Sequence, residues 1–157
     1  MTEGEKTRLI AWSRELRAVH ERLREALRLT RSALDEGAAA QSASADLLLY
    51  CKGFCVALTG HHEAEDRTLF PAISAEHPEL APTIRRLEQD HSMIGYLLGN
   101  LQAAVDRTAP RAELERHLEG VAAIMESHFG YEERALSDVL AALQLEVEPS
   151  DALGPLG

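Results

Sequence analysis

At 157 residues the chain is the size of one domain and long enough to bury a core without staples. A net charge of −10 argues against nucleic acid and anionic membrane as partners. The only two cysteines, Cys51 and Cys55, give no disulfide framework, no apolar run approaches ~18 residues and nothing near Met1 reads as a signal segment, so an untargeted protein of the reducing cytoplasm is expected.

Strand signals are nearly absent, and long Ala/Leu/Arg/Glu stretches indicate an all-α class. The first helix is predicted over 7–35, with an apolar stripe of Leu9, Trp12, Leu16, Val19, Leu23, Ala26 and Leu27. His20 lies on its inner face, and Gly37 reads as its terminator. A small-residue linker leads to a second helix over 44–70, closed by Pro71. Its stripe is Leu47, Cys51, Phe54, Leu58 and Leu69, and His61 and Glu65 take the two places where further apolar residues belong. A buried carboxylate and imidazole are costly unless they are paired or meet a cation. After a loop through His77 and Pro78, the third helix is predicted over 82–107, with Ile84, Leu87, Ile94, Leu98, Leu101 and Val105 inward and His91 in the missing place. The fourth, over 111–143, reads Leu114, Leu118, Val121, Met125, His128, Glu132, Leu136, Val139 and Leu143. Residues 1–144 therefore form one up-down-up-down four-helix bundle, and residues 145–157, with Pro149, Gly154 and Pro155, read as a flexible C-terminal tail.

The chain also repeats itself. HHEAEDRTL from His61 aligns with HFGYEERAL from His128, and LRAVHERL from Leu16 with LEQDHSMI from Leu87, which matches His20 to His91. Each half is a helical hairpin that carries one lone histidine and then a His-x-x-x-Glu pair. A lone inward histidine is more often a satisfied core residue, and either glutamate alone is more often a mis-phased surface residue. Six such residues on four stripes, related by an internal repeat, make coincidence a poor account. Four histidines and two carboxylates at one level of a core suit two metal ions, and nitrogen and oxygen donors without thiolate favour iron or manganese over structural zinc.

The order His20, His61–Glu65, His91, His128–Glu132, with LFP after the first pair, resembles the hemerythrin family over residues 10–143, and within it the bacterial HHE cation-binding domains. The resemblance implies a hemerythrin-like bundle holding two non-haem iron ions, oxo- or hydroxo-bridged, with manganese as the alternative metal. It makes His20, His61, His91 and His128 terminal ligands and Glu65 and Glu132 bridging carboxylates. Glu133 is the alternative second bridge, because some hemerythrins place the acid five residues after the histidine; Glu132 is preferred because it matches Glu65 in the repeat. The implied partners are dioxygen, peroxide and nitric oxide, and the implied roles are peroxide decomposition of a catalase or peroxidase kind, or sensing or binding without turnover. Oxygen carriers have a second histidine one turn before His91, where this chain has Leu87. His62 can replace that nitrogen, with a rim histidine as the equal alternative; Glu88 is a weaker candidate, better read as a solvated charge. Tyr131 is read first as a packing residue and second as a hydrogen-bonding partner near the centre, and Cys51 and Cys55 are read as core.

Overall fold

The computed structural model describes residues 10–36 and 45–157; Leu9, Gly37, the linker and the helix starts expected near 7 and 44 lie outside the described residues. Four long helices carry the fold: α1 (Trp12–Glu36), α2 (Ala45–Ala64), α4 (Ala81–Asp106) and α5 (Arg111–Ala142). Between α2 and α4 lie a π-helical turn (Glu65–Leu69), the short helix α3 (Phe70–Glu76) and a single 3-10 turn (Pro78–Leu80). Helix α6 (Pro149–Leu153) follows the bundle. There is no strand among the described residues, and none of their helices is long and apolar enough to cross a membrane.

The apolar stripes decide the packing. Trp12, Leu16, Val19, Leu23 and Leu27 of α1 recur every three or four residues and are all buried, as are Leu87, Ile94, Leu98 and Leu101 of α4 and Leu114, Leu118, Val121 and Met125 of α5. Each long helix packs against two others in the cycle α1–α2–α4–α5–α1, which is the up-down-up-down four-helix bundle. The α4–α5 reversal is sharp. Thr108 takes a left-handed conformation (φ 54°), Ala109 N–H donates to the Ala104 carbonyl at 2.9 Å and Thr108 N–H to Val105 at 3.1 Å. Pro110 then caps α5, where its missing N–H is no loss.

Two expectations change. Pro71 does not close the second helix, because the chain widens into the π turn at Glu65, where Phe70 N–H bonds the Glu65 carbonyl, and continues through Pro71 as α3. Pro71 sits in the first turn of α3, a position that tolerates proline. The segment 145–157, expected as a flexible tail, instead packs on the bundle. Ala152 and Leu153 are fully buried, and Arg22 of α1 donates to the Leu156 carbonyl. Burial of two apolar side chains there outweighs the local preference of a Pro- and Gly-containing stretch for coil.

Candidate metal centre

The inward phase of each stripe brings its histidines and glutamates to one level of the core. His20, His61, His62, Glu65, His91, His128 and Glu132 are all buried, with His20, Glu65 and Glu132 showing no exposed surface. They fall into two adjacent groups. His62, Glu65, His91 and His128 offer ligand atoms that all lie within 4.8 Å of one another, and so do His20, His61 and Glu132.

The two carboxylates link the groups. Glu65 Oε1 lies 3.3 Å from both His61 Nε2 and His91 Nε2, one in each group. Glu132 reaches His20 Nε2 with Oε1 at 3.6 Å and His128 Nε2 with Oε2 at 3.2 Å, again one in each. His91 Nε2 and His128 Nε2 point at one another across 3.1 Å. Glu133, the alternative bridge, stands outside both groups and about a fifth exposed, between His20 and Arg24. Glu88 is exposed, and Tyr131 packs under the Arg86 guanidinium at 4.1 Å from the ring centroid. Leu87 is fully buried, while His62 stacks on His91 at 3.9 Å between centroids, and a nitrogen of its ring lies among the candidate ligand atoms of His91 and His128.

Four histidines are held from behind through Nδ1. His20 Nδ1 meets Glu133 at 3.2 Å, His61 Nδ1 the Leu153 carbonyl at 2.7 Å, His91 Nδ1 Asp66 at 2.8 Å and His128 Nδ1 Asp90 at 3.0 Å. A carbonyl can only accept, so His61 Nδ1 carries the proton and Nε2 presents a bare lone pair. An acceptor behind Nδ1 with Nε2 facing inward is the arrangement by which proteins orient metal-binding histidines. Phe129 stacks beneath His20 at 3.8 Å and fixes its ring plane. Asp66, Asp90 and the Leu153 carbonyl were missed in the sequence. Asp66 alone had a signal there, as the counterpart of Glu133 in the internal repeat.

The electrostatics suit a cation. Burial pushes His61 down to about 3, and burial with the neighbouring histidines pushes His62 well below the ordinary imidazole range, so both rings are neutral. Burial opposes charge on His20 too, but the nearby carboxylates of Glu132 and Glu133 outweigh it and raise the pKa; at His128, Glu132 and Asp90 do the same. Burial and the facing Glu132 drive Glu65 well above the carboxylate range. Glu132 is driven the other way, well below that range, so Glu65 keeps its proton while Glu132 ionises, as close buried carboxylates must when nothing positive separates them.

The residues present fit a pair of metal ions. His20 Nε2, His61 Nε2, His62 Nε2 and all four oxygens of Glu65 and Glu132 are buried without a hydrogen-bond partner. So many orphaned polar atoms in one place would be prohibitive in a finished core. A cleft of ≈ 210 Å³ between α2 and α4, lined in part by Thr59, Asp66 and Ser92, opens onto His62 and His91.

A four-helix bundle with an internal histidine–carboxylate cluster contributed by all four long helices defines a class of metal-binding bundle proteins. Residues 13–140 match the family model of the hemerythrin HHE cation-binding domain, and the chain belongs to that family. The protein is thereby a metal-binding module of a kind that typically holds iron. No curated protein and no solved structure matches the chain.

Proposed function

We propose that the centre holds two iron ions per chain and that its work is to bind or reduce small oxygen species, first of all to decompose peroxide in defence against oxidative stress. The observation that carries this reading is the set of orphaned, buried imidazole nitrogens and carboxylate oxygens in two linked groups. His62, His91 and His128 would hold one ion, His20 and His61 the other, and Glu65 and Glu132 would serve both. Iron supplies, when bound, redox chemistry and a Lewis-acidic position; manganese fits the same donors.

The chain's own residues do the rest. Asp66, Asp90, Glu133 and the Leu153 carbonyl hold protons at Nδ1 of His91, His128, His20 and His61, so the Nε2 lone pairs of these four are turned to the ions. Phe129, Phe70 and the surrounding leucines exclude bulk water, which keeps the carboxylate field strong. The cleft beside His62 is wide enough for dioxygen, nitric oxide or peroxide and leads to the face of the cluster. A reducing cytoplasm is the compartment we infer, since Cys51 and Cys55 are free thiols.

The test is elemental analysis of protein purified from iron-fed cells, followed by oxygen evolution from hydrogen peroxide at matched iron content. Close to two iron atoms per chain with turnover is the expected result. A folded chain that takes up neither iron nor manganese sinks the reading. Full iron content without peroxide turnover moves the assignment to sensing of oxygen, nitric oxide or iron.

A further inference from the structure

The internal repeat accounts for three of the four acceptors behind the histidines and fails at the fourth. Asp66 and Glu133 occupy equivalent places in the two halves, and each backs the lone histidine of the other half: Asp66 backs His91, and Glu133 backs His20. Asp90 precedes His91 and backs His128. The residue equivalent to Asp90 in the first half precedes His20, and it is Val19, fully buried and unable to accept a hydrogen bond. His61, the equivalent of His128, is therefore left without an acid. Its Nδ1 proton goes instead to the Leu153 carbonyl, at 2.7 Å, from a segment outside the repeat altogether.

That segment is seated closely. Gly154 has φ 89° and ψ −169°, a conformation open only to glycine. A Cβ on Gly154 would stand 2.7 Å from both the backbone nitrogen and the Cα of His61. From the other side, a Cβ on Gly60 would meet the Pro155 ring at 2.8 Å. Two glycines thus let two backbones approach at the place where the repeat leaves His61 without a carboxylate. Buried Ala152 and Leu153 and the Arg22 contact to the Leu156 carbonyl anchor the approach.

We infer that the segment after α5 is a working part of the metal centre: the Leu153 carbonyl, placed by Gly154, orients His61 for the ion shared with His20 and Glu132, in the role that Asp90 has for His128. Leu153 is thus a positioning residue acting through its backbone. The inference rests on the two-ion reading above, and its experiment separates the two.

Three variants are compared with the parent. Gly154→Ala and Gly60→Ala disturb the approach from opposite sides, so either serves if the other folds poorly. Gly53→Ala, on the same helix with nothing within 4 Å of the added Cβ, is the control. In the metal-free proteins, nitrogen NMR of the imidazoles reports the His61 tautomer. The parent and Gly53→Ala should hold the Nδ1–H form, and the other two should lose it. In the iron-loaded proteins, release to a chelator is followed by absorbance. One of the two ions should leave roughly tenfold or more faster in Gly154→Ala and Gly60→Ala, with the other unchanged, because loss of an orienting partner typically weakens metal affinity by that order. Two ions released no faster than from the parent, or both released faster by the same factor, would overturn this inference and leave the di-iron reading standing. A parent that binds no metal overturns both.

Discussion

Glu132 and Glu133 are neighbours in the chain with opposite surroundings. Glu132 is fully buried and touches a histidine of each group; Glu133 is at the surface edge, holding His20 Nδ1 and Arg24. Hydrogen bonds from His20 keep Glu133 below the ordinary carboxylate range, as befits an acid that remains charged. Glu132→Ala is expected to end two-ion occupancy, whereas Glu133→Ala should keep iron and weaken it roughly tenfold or more. Iron content across a titration distinguishes them, and the reverse order would make Glu133 the bridge. His62→Leu removes one of three nitrogens from its group, so iron content should fall without the centre emptying; an unchanged content would return His62 to a packing role. At this scale the sequence is legible where burial is costly. An imidazole or carboxylate in an apolar phase stands out, and that marks His20, His61, Glu65, His91, His128 and Glu132. A backbone carbonyl carries no such mark, so nothing in the sequence points to Leu153.

Helix α2 is apolar on nearly every side, and it carries Cys51 and Cys55 one turn apart inside the core. Burial pushes the Cys51 thiol up to about 11; burial and the neighbouring Cys51 push Cys55 up to about 12. Below pH ~7.5 folded and unfolded chains both hold thiols, so neither group makes stability depend on pH there. As pH rises further toward these values the unfolded chain ionises first, and stability should fall. The urea midpoint measured from about pH 8 to about pH 10.5 should therefore decline more steeply in the parent than in the Cys51→Ala/Cys55→Ala chain. Dithionitrobenzoate near pH 8 should label the folded protein slowly, because the reactive species is the thiolate; prompt stoichiometric labelling would contradict the burial. The elements themselves were legible to the extent that their period was. All four long helices follow from three- and four-residue apolar spacing. The π turn at Glu65 was not, because Pro71 is an ordinary stop signal and a five-residue hydrogen bond leaves no pattern in the sequence.

Across the whole molecule, the bundle buries a set of unpartnered imidazole nitrogens and carboxylate oxygens that a cation would satisfy. Removing metal should lower thermal stability. At free metal about a hundredfold above its Kd, one ion contributes about 2.7 kcal/mol, which in a domain of this size corresponds to roughly 5–10 °C in Tm. Calorimetry with and without a chelator measures it, and equal Tm values would mean that the cluster is stable without an ion. The segment 145–157 reads as a tail because its prolines and glycines resemble coil, while in the structure it contributes two buried side chains and one carbonyl. Its place in the chain also imposes an order in time. Residues 149–157 follow every long helix, and synthesis adds about 5–20 residues per second. His20, His91 and His128, with Asp66, Asp90 and Glu133 behind them, are all synthesised before the acceptor for His61. Of the four Nδ1 acceptors, that of His61 is therefore the last the chain acquires.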